Sequence, residues 1–392
     1  MTAVLVLDDD VNVLRMISQA LAAAGADVLA CREIEAAEAL IENRRFDAVV
    51  TDLNVSERGG MEGMRLARHL AAEWPETRTV CVTGLVDERI GQLGRAMGMR
   101  AVLQKPVDFA VLRAAVLDPS QARRAAGHVT ELEPIDSVLT SGRIRSALQP
   151  ICALTSRESP FQVHAVEGLA RFATCTQIYD PALLFEYAVR KDRVFETDRR
   201  CIGAALNEAQ FLPEGTRLFL NAHPVSLVHP GFAATALEMV EQAGFAPELV
   251  VFEVTEHHLI RDGADFARHL IGLRELGFRI ALDDFGSGAA NLQLLIELSP
   301  QYLKLAGSLL RGIEHDRARQ VAVAATADMA ERLNVPLIVE NVETEAEFRA
   351  IRRLGIPYGQ GYYFAQPSPA RALMEDASLA FERVDDATRV RL

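Results

Sequence analysis

Two adjacent carboxylates, Asp283 and Asp284, end the apolar run Phe278 to Leu282 and precede a Phe-Gly-Ser-Gly turn. Such a run is read as a buried strand. Neighbouring acids at a strand end repel each other, and a divalent cation held by oxygen ligands offsets that repulsion. Taken alone, the pair is equally an acidic turn with Asp284 as a solvated cap. The same half of the chain repeats the pattern, with apolar runs ending near Glu167, at Asn221, at Glu253, near Lys304 and at Glu340, and a last run presenting Gln360. Five carboxylates and an amide, without Cys or His among them, are hard oxygen ligands suited to Mg²⁺ or Mn²⁺ and not to zinc. Clustered carboxylates with one lysine suit two-metal phosphodiester hydrolysis.

The N-terminal part offers a second constellation. Apolar runs there end in Asp8 and Asp9, in Asp52, in Thr83 and in Lys105 before Pro106. Singly each is a cap or a solvated side chain. Together they make an acidic pocket with one hydroxyl and one ammonium, fit for Mg²⁺ and a phosphoryl group. Only three lysines, at 105, 191 and 304, occur among the 41 Lys and Arg residues. A chain that otherwise uses Arg points, by its lysines, to places that need a compact ammonium.

Elements must position these groups. Residues 1–117 alternate strand and helix five times, which predicts a doubly wound five-stranded parallel sheet with its ligands at the carboxyl ends of the strands. Residues 118–134, between an Asp-Pro and a Glu-Pro, read as a connector. Residues 135–378 alternate again over a length that predicts a (β/α)₈ barrel, in which catalytic groups sit at the carboxyl ends of the strands. Residues 379–392 read as a C-terminal tail.

Composition narrows the class. The 392 residues carry a formal net charge of −13, which argues against a nucleic-acid surface and hence against a DNA partner. Five scattered cysteines without C-x-x-C spacing are expected to be reduced thiols. The N-terminus turns acidic after seven residues, too soon for a signal peptide, and no apolar stretch approaches a membrane span. A cytoplasmic protein with no membrane partner is expected.

On these residues, 1–117 resembles the receiver domain of two-component response regulators. The resemblance implies that Asp52 accepts a phosphoryl group from a histidine kinase. It also implies that one Mg²⁺ is held by Asp9, Asp52 and the Asn54 carbonyl with Asp8 supporting, and that Thr83 and Lys105 contact the phosphoryl oxygens. Val102 stands where many receivers carry a switch aromatic.

Residues 135–378 resemble the EAL-type phosphodiesterases of cyclic-di-GMP. The matches are Gln149-Pro150, Glu167-Gly168-Leu169-x-Arg171, Asn221, Glu253-x-x-Glu256, Asp283-Asp284-Phe285-Gly286-x-Gly288, Lys304, Glu340-x-x-Glu343 and Gln360-Gly361-Tyr362. The resemblance implies two cations, one held by Glu167, Asn221, Glu253 and Asp283, the second by Asp283 and Asp284. Lys304 and Glu340 would attend the attacking water, and Gln149, Arg171 and Gln360 the substrate. Glu256 and Glu343 would support loops. The product would be linear pGpG and the assembly a homodimer. Four departures stand out: Gly168 for the motif's Ala, Ala306 where an Asp is usual, Asn341 within Glu-Asn-Val-Glu, and the loop GSGAANL. A second reading is a catalytically silent domain that binds cyclic-di-GMP or a protein partner; metal-dependent turnover separates the two. Asp-Phe-Gly also occurs in protein kinases, but no Gly-rich loop or His-Arg-Asp accompanies it. His257 and His258, adjacent in sequence, read as solvated.

Overall fold

The computed structural model describes residues 1–55, 61–84, 88–117, 127–140, 142–154, 160–172, 181–255, 263–286 and 292–381. The chain forms two compact units. One comprises Met1–Arg143 with Phe172–Arg193, the other Ile144–Arg171 with Val194–Leu392.

The first unit contains strands β1 (Thr2–Leu7), β2 (Ala26–Cys31), β3 (Ala48–Thr51), β4 (Arg78–Thr83), β5 (Ala101–Gln104) and β6 (Val129–Glu131), in the order β5-β4-β3-β1-β2-β6, all parallel. Near-continuous apolar strands of this kind need helices on both faces. The helix Val11–Ala23 supplies Leu14, Ile17 and Leu21 to the sheet's core and is capped by the Asp10 carboxylate, which accepts from the Asn12 and Val13 amides. The five expected strands are present. The sixth, β6, comes from the stretch read as a connector, where Val129 pairs with Val28. A three-residue strand has no periodicity to announce it; only the open edge of β2 selects it. Helix Pro181–Arg190 also belongs to this unit and packs on helix Ile34–Asn43. Tyr187 donates its hydroxyl to Glu33, Lys191 Nζ lies 3.2 Å from Glu33, and Arg190 pairs with Glu38 at 3.4 Å.

The second unit is a closed barrel of β7 (Ile144–Ala153), β8 (Phe161–Phe172), β9 (Arg217–Asn221), β10 (Val250–Thr255), β11 (Arg279–Phe285), β12 (Tyr302–Leu305), β13 (Leu337–Val339) and β14 (Tyr358–Gln360). Closure comes from β8 pairing with β9, Glu167 opposite Phe219. All barrel neighbours with a described register are parallel except β14 and β7, where Gln360 faces Ile151 in an antiparallel pair. A short β15 (Leu379–Phe381), within the stretch read as a tail, pairs with β8 outside the barrel; Leu379 is buried there.

Side chains fill the barrel in layers, as this fold requires. The middle layer holds Ile151, Ala165, Phe219, Val251, Ala281, Tyr302 and Ile338. Toward the amino ends of the strands lies a polar group. His164 stacks on Tyr358 with centroids 3.9 Å apart, and its Nε2 lies 3.2 Å from both the Tyr302 hydroxyl and Arg217 Nη1. Burial, reinforced by the charges of Arg217 and Arg279, pushes His164 down to about 3 from 6.5.

The folded imidazole therefore stays neutral while the unfolded chain takes up a proton near pH 6.5. His164 costs no stability above pH 6.5, and stability falls as pH drops from 6.5 toward 3. Urea midpoints of the wild type and His164→Gln, measured from pH 7 to 4.5, should converge or cross as the pH falls. Parallel curves over that range would show that His164 is not held neutral.

Candidate functional site

The carboxyl ends of the barrel strands place the expected groups around one ammonium. Lys304, on β12, is 1 % exposed. Its Nζ lies 2.6 Å from Glu253 Oε1, 2.7 Å from Glu340 Oε1, 3.3 Å from Glu167 Oε2 and 3.4 Å from Asp283 Oδ1. Inward alternation along each strand explains the convergence: residues two apart on β9 to β12 point to the same side, so the layer of Phe219, Val251, Ala281 and Tyr302 is followed by Asn221, Glu253, Asp283 and Lys304.

The electrostatics follow from one cation serving four buried anions. Burial opposes the charge on Lys304, yet Asp283, Glu167, Glu253 and Glu340 hold its pKa well above the ordinary lysine value. Burial raises the others: Glu253 goes well above the usual carboxylate range, Asp283 is raised, and Glu340 is pushed up to about 8. Glu167 is held low against its burial by Lys304 and by hydrogen bonds from Gln360 and Asn221. Gln360 Nε2 donates to Glu167 at 2.8 Å and to Gln149 Oε1 at 3.2 Å, while Asn221 Nδ2 donates to Glu167 at 2.8 Å.

This donor set fits a divalent cation. Glu253 Oε1 and Asp283 Oδ1 face the Lys304 ammonium, but Glu253 Oε2 is buried with no hydrogen-bond or ion-pair partner among the described residues, a costly state for a carboxylate unless a further cation compensates it. Asn221, its amide nitrogen committed to Glu167, presents its oxygen. Asp284 is half-buried on left-handed backbone with φ 56°. A cavity of about 350 Å³ at the mouth is lined by Gln149, Glu167, Arg171, Glu340, Glu343 and Gln360. Arg171 is exposed there. Glu343 donates its backbone amide to Glu347 at 3.0 Å, beside the capping box of Thr344 and Glu347. Glu256, His257, His258 and most of the loop after Gly286 lie outside the described residues.

Two departures have structural reasons. A Cβ at Gly168 would sit 2.7 Å from Ala205 Cβ and 3.2 Å from Leu220, so the outer helix leaves no room for the motif's Ala. Asn341 has φ 55°, the left-handed conformation that Asn tolerates better than other side-chain-bearing residues; its side chain packs where a Cβ on Gly307 would be, 2.4 Å away. Ala306 is buried and caps a 3₁₀ turn without a side-chain bond. One supporting residue carried no sequence signal. Asp198, fully buried, accepts from the His223 amide at 3.0 Å and so fixes the chain just after Asn221; burial pushes it up to about 7.

In the first unit, Lys105 Nζ lies 2.6 Å from Asp52 Oδ2 and 2.7 Å from Asp8 Oδ2. Asp8, Asp9 and Asp52 bring carboxylate oxygens close enough together to hold one ion. Burial raises Asp8 to about 6, with Lys105 opposing. Thr83 is buried at the end of β4, and Asn54 Oδ1 accepts from the Met61 amide at 3.2 Å. Val102, partly buried, packs against the cluster of Leu53, Met64 and Cys81.

Removing the barrel ammonium should expose the cost of the bare anions. Lys304→Met is expected to lower stability by about 3–5 kcal/mol in EDTA, the scale of breaking a buried ion pair. Saturating Mn²⁺ should recover most of it. Urea unfolding with and without the metal checks this; an equal loss in both conditions would mean that the carboxylates are not a cation site.

Comparisons with known proteins give the families of the two parts of the chain. Residues 134–367 match the EAL domain family and residues 4–117 the response regulator receiver domain. Cyclic di-GMP phosphodiesterase RocR of Pseudomonas aeruginosa is 25 % identical over 369 residues, covering 90 % of this chain and 92 % of that protein. Probable cyclic di-GMP phosphodiesterase PdeA of Escherichia coli is 28 % identical over 40 % of this chain, which spans only 21 % of that protein's length. The manganese and cyclic-di-GMP complex of Klebsiella pneumoniae BlrP1 is 30 % identical with a TM-score of 0.53, over 58 % of this chain and 56 % of that one; a calcium complex of the same protein is also similar. Glu167, Asn221, Glu253, Asp283, Lys304 and Glu340 thus gather at one barrel mouth in a chain that belongs to the EAL domain family and carries a receiver domain ahead of it.

Proposed function

We propose that this chain is a response regulator whose barrel hydrolyses cyclic-di-GMP to linear pGpG under the control of phosphorylation at Asp52. The observation that carries the reading is the convergence of four carboxylates on the single ammonium of Lys304, with Glu253 Oε2 buried and left without a partner among the described residues. Glu167, Asn221, Glu253 and Asp283 would hold one Mg²⁺ or Mn²⁺, and Asp283 with Asp284 a second. Once bound, these ions supply charge neutralisation at phosphorus and an acidified water.

The chain's own residues do the rest. Lys304 keeps its proton, because the carboxylates around it hold its pKa high. It acts as a fixed donor to the charge that builds on the phosphoryl oxygens, not as a base. Glu340, 2.7 Å from Lys304, positions the attacking water. Arg171 meets substrate phosphate at the exposed rim, and Gln149 and Gln360 line the substrate side. The receiver would take its phosphoryl group from a histidine kinase, in a cytoplasmic homodimer. A route for the signal is covalent: β8, which carries Glu167 and Arg171, runs on toward the helix Pro181–Arg190 that packs in the receiver's unit on helix Ile34–Asn43.

Chromatography of cyclic-di-GMP incubated with the full chain and Mg²⁺ or Mn²⁺ should show pGpG. Asp283→Ala should abolish turnover, and Lys304→Arg should lower kcat by roughly 10²-fold, the scale of losing a placed electrostatic group, with much less effect on binding. Ca²⁺ should inhibit, since its larger, looser coordination misplaces the water. Binding without turnover under either metal would identify a silent sensor.

Acetyl phosphate should label the wild type but not Asp52→Asn, and the labelled protein should differ in kcat or KM. Identical kinetics before and after labelling would reject the coupling.

A further inference from the structure

The far end of the barrel holds a charge that nothing in the catalytic reading uses. Arg217, the first residue of β9, is 7 % exposed, and its Nε is buried without a hydrogen-bond partner. Among the described residues its one hydrogen-bond contact is Nη1 to the ring of His164, 3.2 Å away, and its guanidinium carbon lies 5.9 Å from the Tyr302 ring centroid. An imidazole is neutral or cationic, so His164 cannot balance the guanidinium. Arg279, at the start of β11, adds its positive charge to the same group. Among the described residues neither arginine forms an ion pair. A buried guanidinium without an anion is costly, and Arg stays protonated where a Lys would shed its proton. Arg279 and Tyr302 line a cavity of about 830 Å³ together with Ser299, Gln301, Asn334 and a set of apolar residues. Arg217 does not line it, but its guanidinium lies next to the Tyr302 ring that does.

We propose that the amino-terminal end of the barrel is an oxyanion site. It would take a small doubly charged anion of the inorganic phosphate type, held by Arg279 in the cavity and by Arg217 across the Tyr302 ring. The guanidinium fork matches phosphate geometry. No carboxylate of the phosphodiesterase site takes part, so the inference stands whether or not the barrel hydrolyses cyclic-di-GMP.

The test is isothermal titration of the full chain with inorganic phosphate, in EDTA so that neither carboxylate site can bind it through a metal, and at fixed ionic strength. One saturable site is expected. Arg217→Met should abolish the signal and Arg279→Met should weaken the affinity at least tenfold, while His164→Gln, uncharged like the ring it replaces, should change it far less. If Arg217→Met does not fold, Arg279→Met decides alone. Absence of saturable binding, or binding that both available arginine variants leave unchanged, overturns the site and leaves the arginines as structural charges.

Discussion

Everything at the carboxylate end of the barrel depends on the ammonium of Lys304. Four carboxylates within 3.4 Å of one nitrogen are a net negative cluster in a buried setting. Repulsion of that kind is normally relieved by protonation, and the upward pressure on Glu253, Asp283 and Glu340 is that relief under way. Lys304 limits it. On the proposed reading, bound cations would let the carboxylates all ionise and would relieve the ammonium of part of its duty toward them. The site would then be tolerable without metal and relaxed with it, which is the electrostatic form of preorganisation.

The receiver uses the same device on a smaller scale. Lys105 bridges Asp8 and Asp52, and hydrogen bonds to both hold its pKa above the ordinary value although burial works against it. In a chain that spends Arg almost everywhere, both pockets use Lys. A guanidinium is planar and broad; between carboxylates that must also admit an ion it would block the space a point charge leaves open. The third lysine shows the limit of that rule. Lys191 pairs with Glu33 and Glu35 at 3.2 and 3.8 Å on a partly exposed helix junction, where an Arg would serve as well.

What was legible in the sequence was what strand ends carry. An apolar run that stops on an acid declares both the strand and the polar group at its mouth, so Glu167, Asn221, Glu253, Asp283, Lys304 and Glu340 could be named before any coordinates. Less was legible wherever the decisive partner is distant in sequence. β6 exists because β2 has an open edge, and β15 because residues Phe161–Val163 of β8 precede its pairing with β9 and are free on that side. Helix Pro181–Arg190 reads like any barrel helix, and only its pairing with Glu33 and Glu38 assigns it to the receiver's unit. The reason for Gly168 is Ala205 of a distant helix, which leaves no room for a Cβ. The reason for Asn341 is a left-handed backbone that no local pattern announces. The group of His164, Arg217, Tyr302 and Tyr358 comes from four separate strands and has no local pattern at all.

That group also bears on the mouth. Arg217 and Asn221 are four residues apart on β9, about 13 Å along a strand. Across that distance, at an effective dielectric of about 20, opposite unit charges attract by on the order of 1 kcal/mol. The apolar layer between them contributes no screening ions. Two arginines at one end and four carboxylates at the other thus form a field along the barrel axis that favours ionised acids at the mouth, each end lowering the cost of the other's unpaired charge. Neutralising the amino-terminal end, whether by substitution or by a bound anion, removes part of that support. The neutrality of His164 follows the same logic: burial holds it uncharged, and a third cation there would add to the repulsion between Arg217 and Arg279.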